Sequence, residues 1–137
     1  EGYKGGFEES DIHELIDLME MNFMGWASAM VPMVTDAQGT VLTEELERTF
    51  VEVDPHVARE FAEVTFFTDC RQELEKIEKP TLIIQCSEDS IVPIHVGQYL
   101  HKHLKNSEFQ LMNVRGHYPH ISKPYETAEY VKAFLRD

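Results

Sequence analysis

Two short apolar runs near the C-terminal end, each followed by a turn that carries a titratable side chain, constrain the fold most strongly. The first run, residues 81–84, leads into Gln85-Cys86-Ser87-Glu88-Asp89, and the second, residues 109–114, leads into Arg115-Gly116-His117. Helix patterns occupy residues 93–104 and 124–136, so the order is strand, helix, strand, helix. Such a βαβα unit predicts two parallel strands joined by a right-handed crossover, and therefore an α/β fold.

A sheet of only two parallel strands is physically incomplete. Parallel sheets are covered by helices on both faces and contain several strands, yet the first half of this chain carries helix patterns only. The pattern changes at Lys79-Pro80, so we expect a helical region over residues 1–78 and a core segment over residues 79–137. The chain also begins at Glu1 without a methionine. We therefore expect the remaining strands to come from another polypeptide segment.

Local signals suggest where the helices of the first half begin. Ser10, Thr43 and the Asp54-Pro55 pair are residue types that favour helix N-termini. Pro32 lacks an amide donor and is expected to bend or end a helix. Asp69 is expected to start a short helix through Leu74. We therefore expect four or five helices before the first strand.

Composition excludes several classes of protein. The chain has 137 residues, 42% of them apolar and 27% charged, which is typical of one globular domain. A net charge of −13 argues against nucleic-acid binding. No apolar run is long enough for a membrane helix, and no secretory signal is visible. Two separated cysteines, Cys70 and Cys86, predict neither a disulfide framework nor a zinc site and favour the cytoplasm.

Asp89 and His117 are the candidate catalytic residues. Both follow the carboxyl end of a predicted parallel strand, where α/β folds build their active sites. A carboxylate there can orient an imidazole that moves protons. The alternatives stay open: Asp89 can be an ordinary loop acid before a helix, and His117 a surface histidine. The spacings of the other histidines fit no metal site, so we expect no metal and no cofactor.

A set of large apolar residues on different helices of the first half is the second candidate feature. These side chains can converge on an apolar ligand pocket, or they can be ordinary helix packing. They are Leu15, Trp26, Met30, Ala62 and Phe66.

With these features in hand, the chain resembles the C-terminal half of an α/β-hydrolase, and most closely the RsbQ-type regulators of the bacterial general stress response. The plant karrikin and strigolactone receptors resemble it more distantly. The stretches that carry the resemblance run in one order through nearly the whole chain. They are Gly5-Gly6-Phe7-Glu8-Glu9, Asn22-Phe23-Met24-Gly25-Trp26-Ala27, Asp54-Pro55, Phe66-Phe67-Thr68-Asp69-Cys70-Arg71, Gln85-Cys86-Ser87-Glu88-Asp89 through Pro93, and Arg115-Gly116-His117-Tyr118-Pro119-His120.

The resemblance implies a four-helix cap over residues of roughly 8–77 followed by the last two core strands. It implies that Asp89 is the acid and His117 the base of a catalytic triad, and that Phe7 joins the apolar pocket. The implied activity is slow hydrolysis of a small hydrophobic ester or lactone. The implied role is signalling through a partner phosphatase that carries a sensor domain.

One part of the family pattern is missing from these residues. No serine of the chain lies in a Gly-x-Ser-x-Gly turn, which in such enzymes presents the nucleophile. We therefore expect this chain to supply the acid and base but not the nucleophile, and to be inactive alone. The alternative is a binding module that senses a small apolar ligand with little turnover. A third reading is a fragment without function.

Overall fold

The computed structural model describes residues 3–35 and 41–136. Four helices come first: α1 (Glu9–Met21), α2 (Phe23–Val34), α3 (Val41–Glu52) and α4 (Pro55–Phe67), followed by a 3-10 turn (Arg71–Lys76). The second part is β1 (Thr81–Glu88), α5 (Ile94–His103), β2 (Ser107–Arg115), α6 (Pro119–Ser122) and α7 (Pro124–Phe134). The predicted order of helices and then a βαβα unit is confirmed.

β1 and β2 form a parallel two-stranded sheet in the described part of the chain. Thr81 pairs with Ser107 and Cys86 with Met112, and an irregularity beyond Cys86 brings Glu88 opposite Arg115. Cys86, Met112 and Val114 form the buried centre of this segment, with Ile84 and Tyr130 packed against it. Both strands therefore end at the same edge, with their turns side by side.

Three pairs of these four helices pack against each other. α1 lies between α4 and α2, and α3 packs against α2. The buried side chains at these contacts include Ile12, Ile16, Met19, Ala27 and Val31. The outer stripe of α4 is not covered, since Phe61 is 73% and Val64 66% exposed.

Two of the predicted helix starts are wrong. The N-cap of α1 is Glu8 rather than Ser10, and Ser10 lies inside the helix. Glu8 and Asp11 form a capping box, in which the Asp11 carboxylate accepts the Glu8 amide at 3.0 Å. α3 begins at Val41, so Thr43 is a buried residue inside the helix. The start at Asp54-Pro55 is confirmed: the Asp54 carboxylate accepts the His56 amide at 2.9 Å.

Two further helix predictions shift in detail. Pro32 lies inside α2, which continues two residues past it to Val34. The short helix expected from Asp69 is a 3-10 turn that starts at Arg71, because the Asp69 carboxylate accepts the Arg71 amide at 3.0 Å and precedes the turn.

Candidate active site

The carboxylate of Asp89 is held rigidly where β1 gives way to the loop before α5. Its Oδ1 accepts the backbone amides of Ile91 and Val92, each at 2.9 Å. This is an Asx-type turn, which fixes a short acidic side chain against its own backbone. The side chain is only 3% exposed. The second oxygen, Oδ2, is left to face the neighbouring strand.

Gln85 anchors that loop to β1, a role the sequence analysis missed. Its side-chain amide donates to the carbonyl oxygens of Val92 at 2.8 Å and Cys86 at 3.1 Å, and the residue is 4% exposed. A buried amide must find partners, because leaving it unpaired costs free energy. The available signal was a glutamine at the end of an otherwise apolar strand.

His117 is placed by the turn that follows β2. Gly116 has φ +94°, a left-handed conformation that glycine adopts without steric cost. Its amide donates to the Glu88 carbonyl at 2.9 Å, which joins the two turns. The amides of His117 and Tyr118 both donate to the Val34 carbonyl, at 2.9 and 2.7 Å. The last residue of α2 therefore holds the histidine turn, a contact that nothing in the sequence indicated.

The two candidate side chains meet. Nδ1 of His117 lies 2.7 Å from Oδ2 of Asp89. An ionised carboxylate can only accept a hydrogen bond. In this pair Nδ1 of His117 is therefore the donor and carries the proton, which leaves Nε2 as the basic nitrogen. The ring is 36% exposed while its partner is buried. A buried carboxylate behind a half-exposed imidazole is the arrangement that lets a histidine accept a proton from a third group.

His117 opens onto a cavity of about 600 Å³, here called the histidine cavity. A second cavity of about 550 Å³, the α1 cavity, lies along one face of α1. Both are bordered by Phe7, Phe66 and Ile91. The rings of Phe7 and Phe66 meet edge to face at 5.7 Å, and this aromatic pair lies where the two cavities adjoin.

Four of the six predicted pocket residues line the α1 cavity: Phe7, Leu15, Met30 and Phe66. The other two do not reach it. Trp26 stacks on Phe23 at 5.3 Å and lies 6.1 Å from Phe50, so it packs where α2 meets α3. Ala62 is a half-buried residue of α4 that borders neither cavity.

Residues 3–35 and 41–136 contain no group of three or more His, Cys, Asp or Glu side chains arranged to hold a metal ion. In the same residues, no helix combines the length and the apolar character needed to cross a membrane.

The chain is similar to several known proteins. The chain is 36% identical over 124 residues to a probable esterase of rice, Oryza sativa subsp. japonica, across 89% of the chain and 46% of that protein. It is 33% identical over 124 residues to the karrikin insensitive 2 receptor CA of Petunia hybrida, with the same coverage of 89% and 46%. A hydrolase structure from Oleispira antarctica superposes with a TM-score of 0.88 at 39% identity, over 98% of this chain and 50% of that one.

The described residues have part of the α/β-hydrolase fold. No protein-family model matches the sequence. The chain spans about half the length of the curated relatives it matches. In this chain the aspartate and the histidine lie at the carboxyl ends of neighbouring parallel strands, the edge at which open α/β sheets bind ligands.

Proposed function

We propose that this chain is the C-terminal half of an α/β-hydrolase that cleaves a small hydrophobic ester or lactone. In this proposal, residues 1–78 form the cap and residues 79–137 the last part of the core. A further segment supplies the serine and the oxyanion donors. The observation that carries the proposal is the 2.7 Å contact between His117 and the buried carboxylate of Asp89.

The chemistry assigns one role to each side chain. Nε2 of His117 takes the hydroxyl proton as the serine oxygen attacks the substrate carbonyl carbon. Asp89 holds the ring in the required tautomer and stabilises the imidazolium. His117 then protonates the leaving alkoxide, which leaves an acyl-serine. The same nitrogen deprotonates a water that attacks the acyl carbon, and it returns this proton to the serine oxygen as the acyl–serine bond breaks and the acid leaves. Each missing oxyanion donor is worth about 3–4 kcal/mol in kcat, which is why this chain is proposed to be inactive alone.

The names of similar proteins support this reading. A probable esterase and a structurally characterised hydrolase are among the proteins this chain resembles. The α1 cavity offers an apolar surface of Phe7, Leu15, Met30 and Phe66 beside the histidine cavity. A cavity of about 550 Å³ is the size of a small-ligand site.

The test is ester hydrolysis by the protein expressed at the full length of its gene, called the full-length protein below. We expect para-nitrophenyl acetate to be cleaved, and His117→Ala to lower kcat by about 10⁴-fold or more. His120→Ala is the matched control, because that ring lies three residues away and is exposed. Equal rates for the wild type and His117→Ala would remove His117 from the mechanism.

The second candidate function is ligand sensing. A karrikin insensitive 2 receptor is among the similar proteins, and the Val34 carbonyl links the cap directly to the histidine turn. In this version a ligand in the α1 cavity shifts the cap, and the changed surface activates a sensor-domain phosphatase in stress signalling, as for RsbQ-type regulators. Activation of that phosphatase that survives His117→Ala would favour sensing over turnover.

A further inference from the structure

The α1 cavity has an apolar floor and an acidic rim. Leu15 and Met30 contribute to the floor, while Asp11, Glu14 and Asp17 line the side formed by α1. All three acidic residues are exposed. Among the described residues that line this cavity there is no lysine, arginine or histidine. The charge at this opening is therefore uniformly negative.

Arg59 and His13, on α4 and α1, contact other acidic residues. Arg59 contacts Glu63 at 2.9 Å and Glu20 at 3.7 Å, and His13 faces Glu9 at 3.8 Å. The histidine cavity differs, because its acidic residue, Asp69, is paired with Arg71 through two nitrogens. Of these two cavities, only the α1 cavity therefore has acidic lining residues without an ion pair among the described residues.

The aromatic pair connects this charge to the proposed chemistry. Phe7 and Phe66 border both cavities, so a substrate whose apolar part fills the α1 cavity brings its other end to the space beside His117. A cleft lined by charges of one sign with low-dielectric walls focuses their field on a ligand. The rim then acts on any charge the substrate carries.

We propose that this rim selects substrates by charge: neutral or cationic esters are accepted and anionic ones are rejected. The inference rests on the proposed function and narrows its substrate class. The carboxylates of the rim repel an anionic substrate, and no better contact with the accepted substrate is needed. Such repulsion of the wrong ligand is a recognised route to specificity.

The experiment compares two esters of similar size and leaving group in the full-length protein. Methyl para-acetoxybenzoate is neutral, and para-acetoxybenzenesulfonate is anionic. At low ionic strength we expect the wild type to favour the neutral ester. The double variant Glu14→Gln, Asp17→Asn should reduce that preference by about three- to tenfold in kcat/KM, and added salt should reduce the wild-type preference similarly. Asp11 is left unchanged because its carboxylate caps α1.

A second double variant, Glu44→Gln with Glu45→Gln, controls for net charge. It also removes two negative charges, but from exposed positions of α3 that border neither cavity. We expect its preference to stay within about twofold of the wild type. An unchanged preference in the rim variant, or an equal change in the control, would overturn the inference.

Failure of hydrolysis and failure of charge selection give different results. If neither ester is cleaved, the proposed function fails. Charge selection is then read from the affinities of the uncleaved acetamide analogues of the two esters, measured by calorimetry on the same variants. The inference is supported if the wild type binds the anionic analogue more weakly than the neutral one and the rim variant binds it more tightly than the wild type does. Equal affinity of the wild type for both analogues overturns the inference.

Discussion

The amide of His117 donates to the carbonyl oxygen of Val34 at 2.9 Å, so the last turn of α2 holds the loop that presents the imidazole. Tyr118 shares the same acceptor at 2.7 Å. The last carbonyls of a helix have no partner within it, and this contact supplies partners for that of Val34. The position of α2 and the position of the candidate base are therefore coupled.

Replacing Gly116 by alanine tests this coupling. A Cβ at Gly116 would lie 2.8 Å from the Val34 oxygen, and the residue has φ +94°. We expect Gly116→Ala to destabilise the full-length protein by about 1–3 kcal/mol and to lower ester turnover. Gly5→Ala is the control, since its Cβ would meet only the Phe7 oxygen at 3.8 Å. Thermal unfolding and kcat are the measurements, and equal stability of the two variants would contradict the argument.

Asp89 and Asp54 make the same local turn but differ in one partner. In each aspartate, Oδ1 accepts hydrogen bonds from two backbone amides, those of the second and third residues that follow it. Of the two, Asp89 alone also contacts a histidine ring, through Nδ1 of His117. We expect Asp89→Asn to lower kcat by about 10⁴-fold, because the amide would favour the wrong imidazole tautomer.

Asp54→Asn provides the matched control for that substitution. It should retain kcat, since asparagine also caps helices well. The comparison separates the two interpretations of Asp89 that its sequence position leaves open. If both variants keep wild-type kcat, Asp89 is only a loop acid.

The order of elements follows from local pattern, and so it could be predicted. Residues 81–84 and 109–114 carry apolar runs, and the structure extends them to Thr81–Glu88 and Ser107–Arg115. Parallel pairing followed from the helix between them. The position of Asp89 relative to His117 could be anticipated for the same reason, because parallel strands end at one edge.

What the sequence could not reveal depends on contacts between distant segments. Val34 acts through its backbone carbonyl, which any residue has, so no side chain marks it. Trp26 matches the pocket pattern, yet packing against Phe23 and Phe50 decides where its ring lies. Glu8 caps α1 ahead of Ser10 because a reciprocal bond with Asp11 adds to the cap.

Trp26 and Leu15 should behave differently on substitution. Trp26 packs between α2 and α3, whereas Leu15 lines the α1 cavity. We expect Trp26→Ala to reduce the free energy of unfolding by about 2–4 kcal/mol with little change in KM for a neutral ester. Leu15→Ala should raise KM instead. An increase in KM for Trp26→Ala as large as that for Leu15→Ala would place the indole in the pocket.

The two cysteines should differ in reactivity with pH. Burial raises the pKa of the Cys86 thiol to about 11, and the nearby Asp89 charge adds to the effect. Cys70 is exposed. Because the thiolate is the nucleophile, iodoacetamide near pH 8 should alkylate Cys70 and spare Cys86 until the protein is unfolded by denaturant. Mass spectrometry of the labelled peptides measures this, and equal labelling of both in the native protein would contradict it.

The same shift makes stability fall in alkali. The folded state holds the Cys86 proton more tightly than the unfolded chain, whose thiol titrates near 9.0. The stabilisation is therefore complete below about pH 9 and is lost as pH rises toward about 11. Cys86→Ala lacks the titrating group, so the decline in its denaturation midpoint between those pH values should be shallower than that of the wild type. Parallel declines in the two proteins would show that another group controls the alkaline transition.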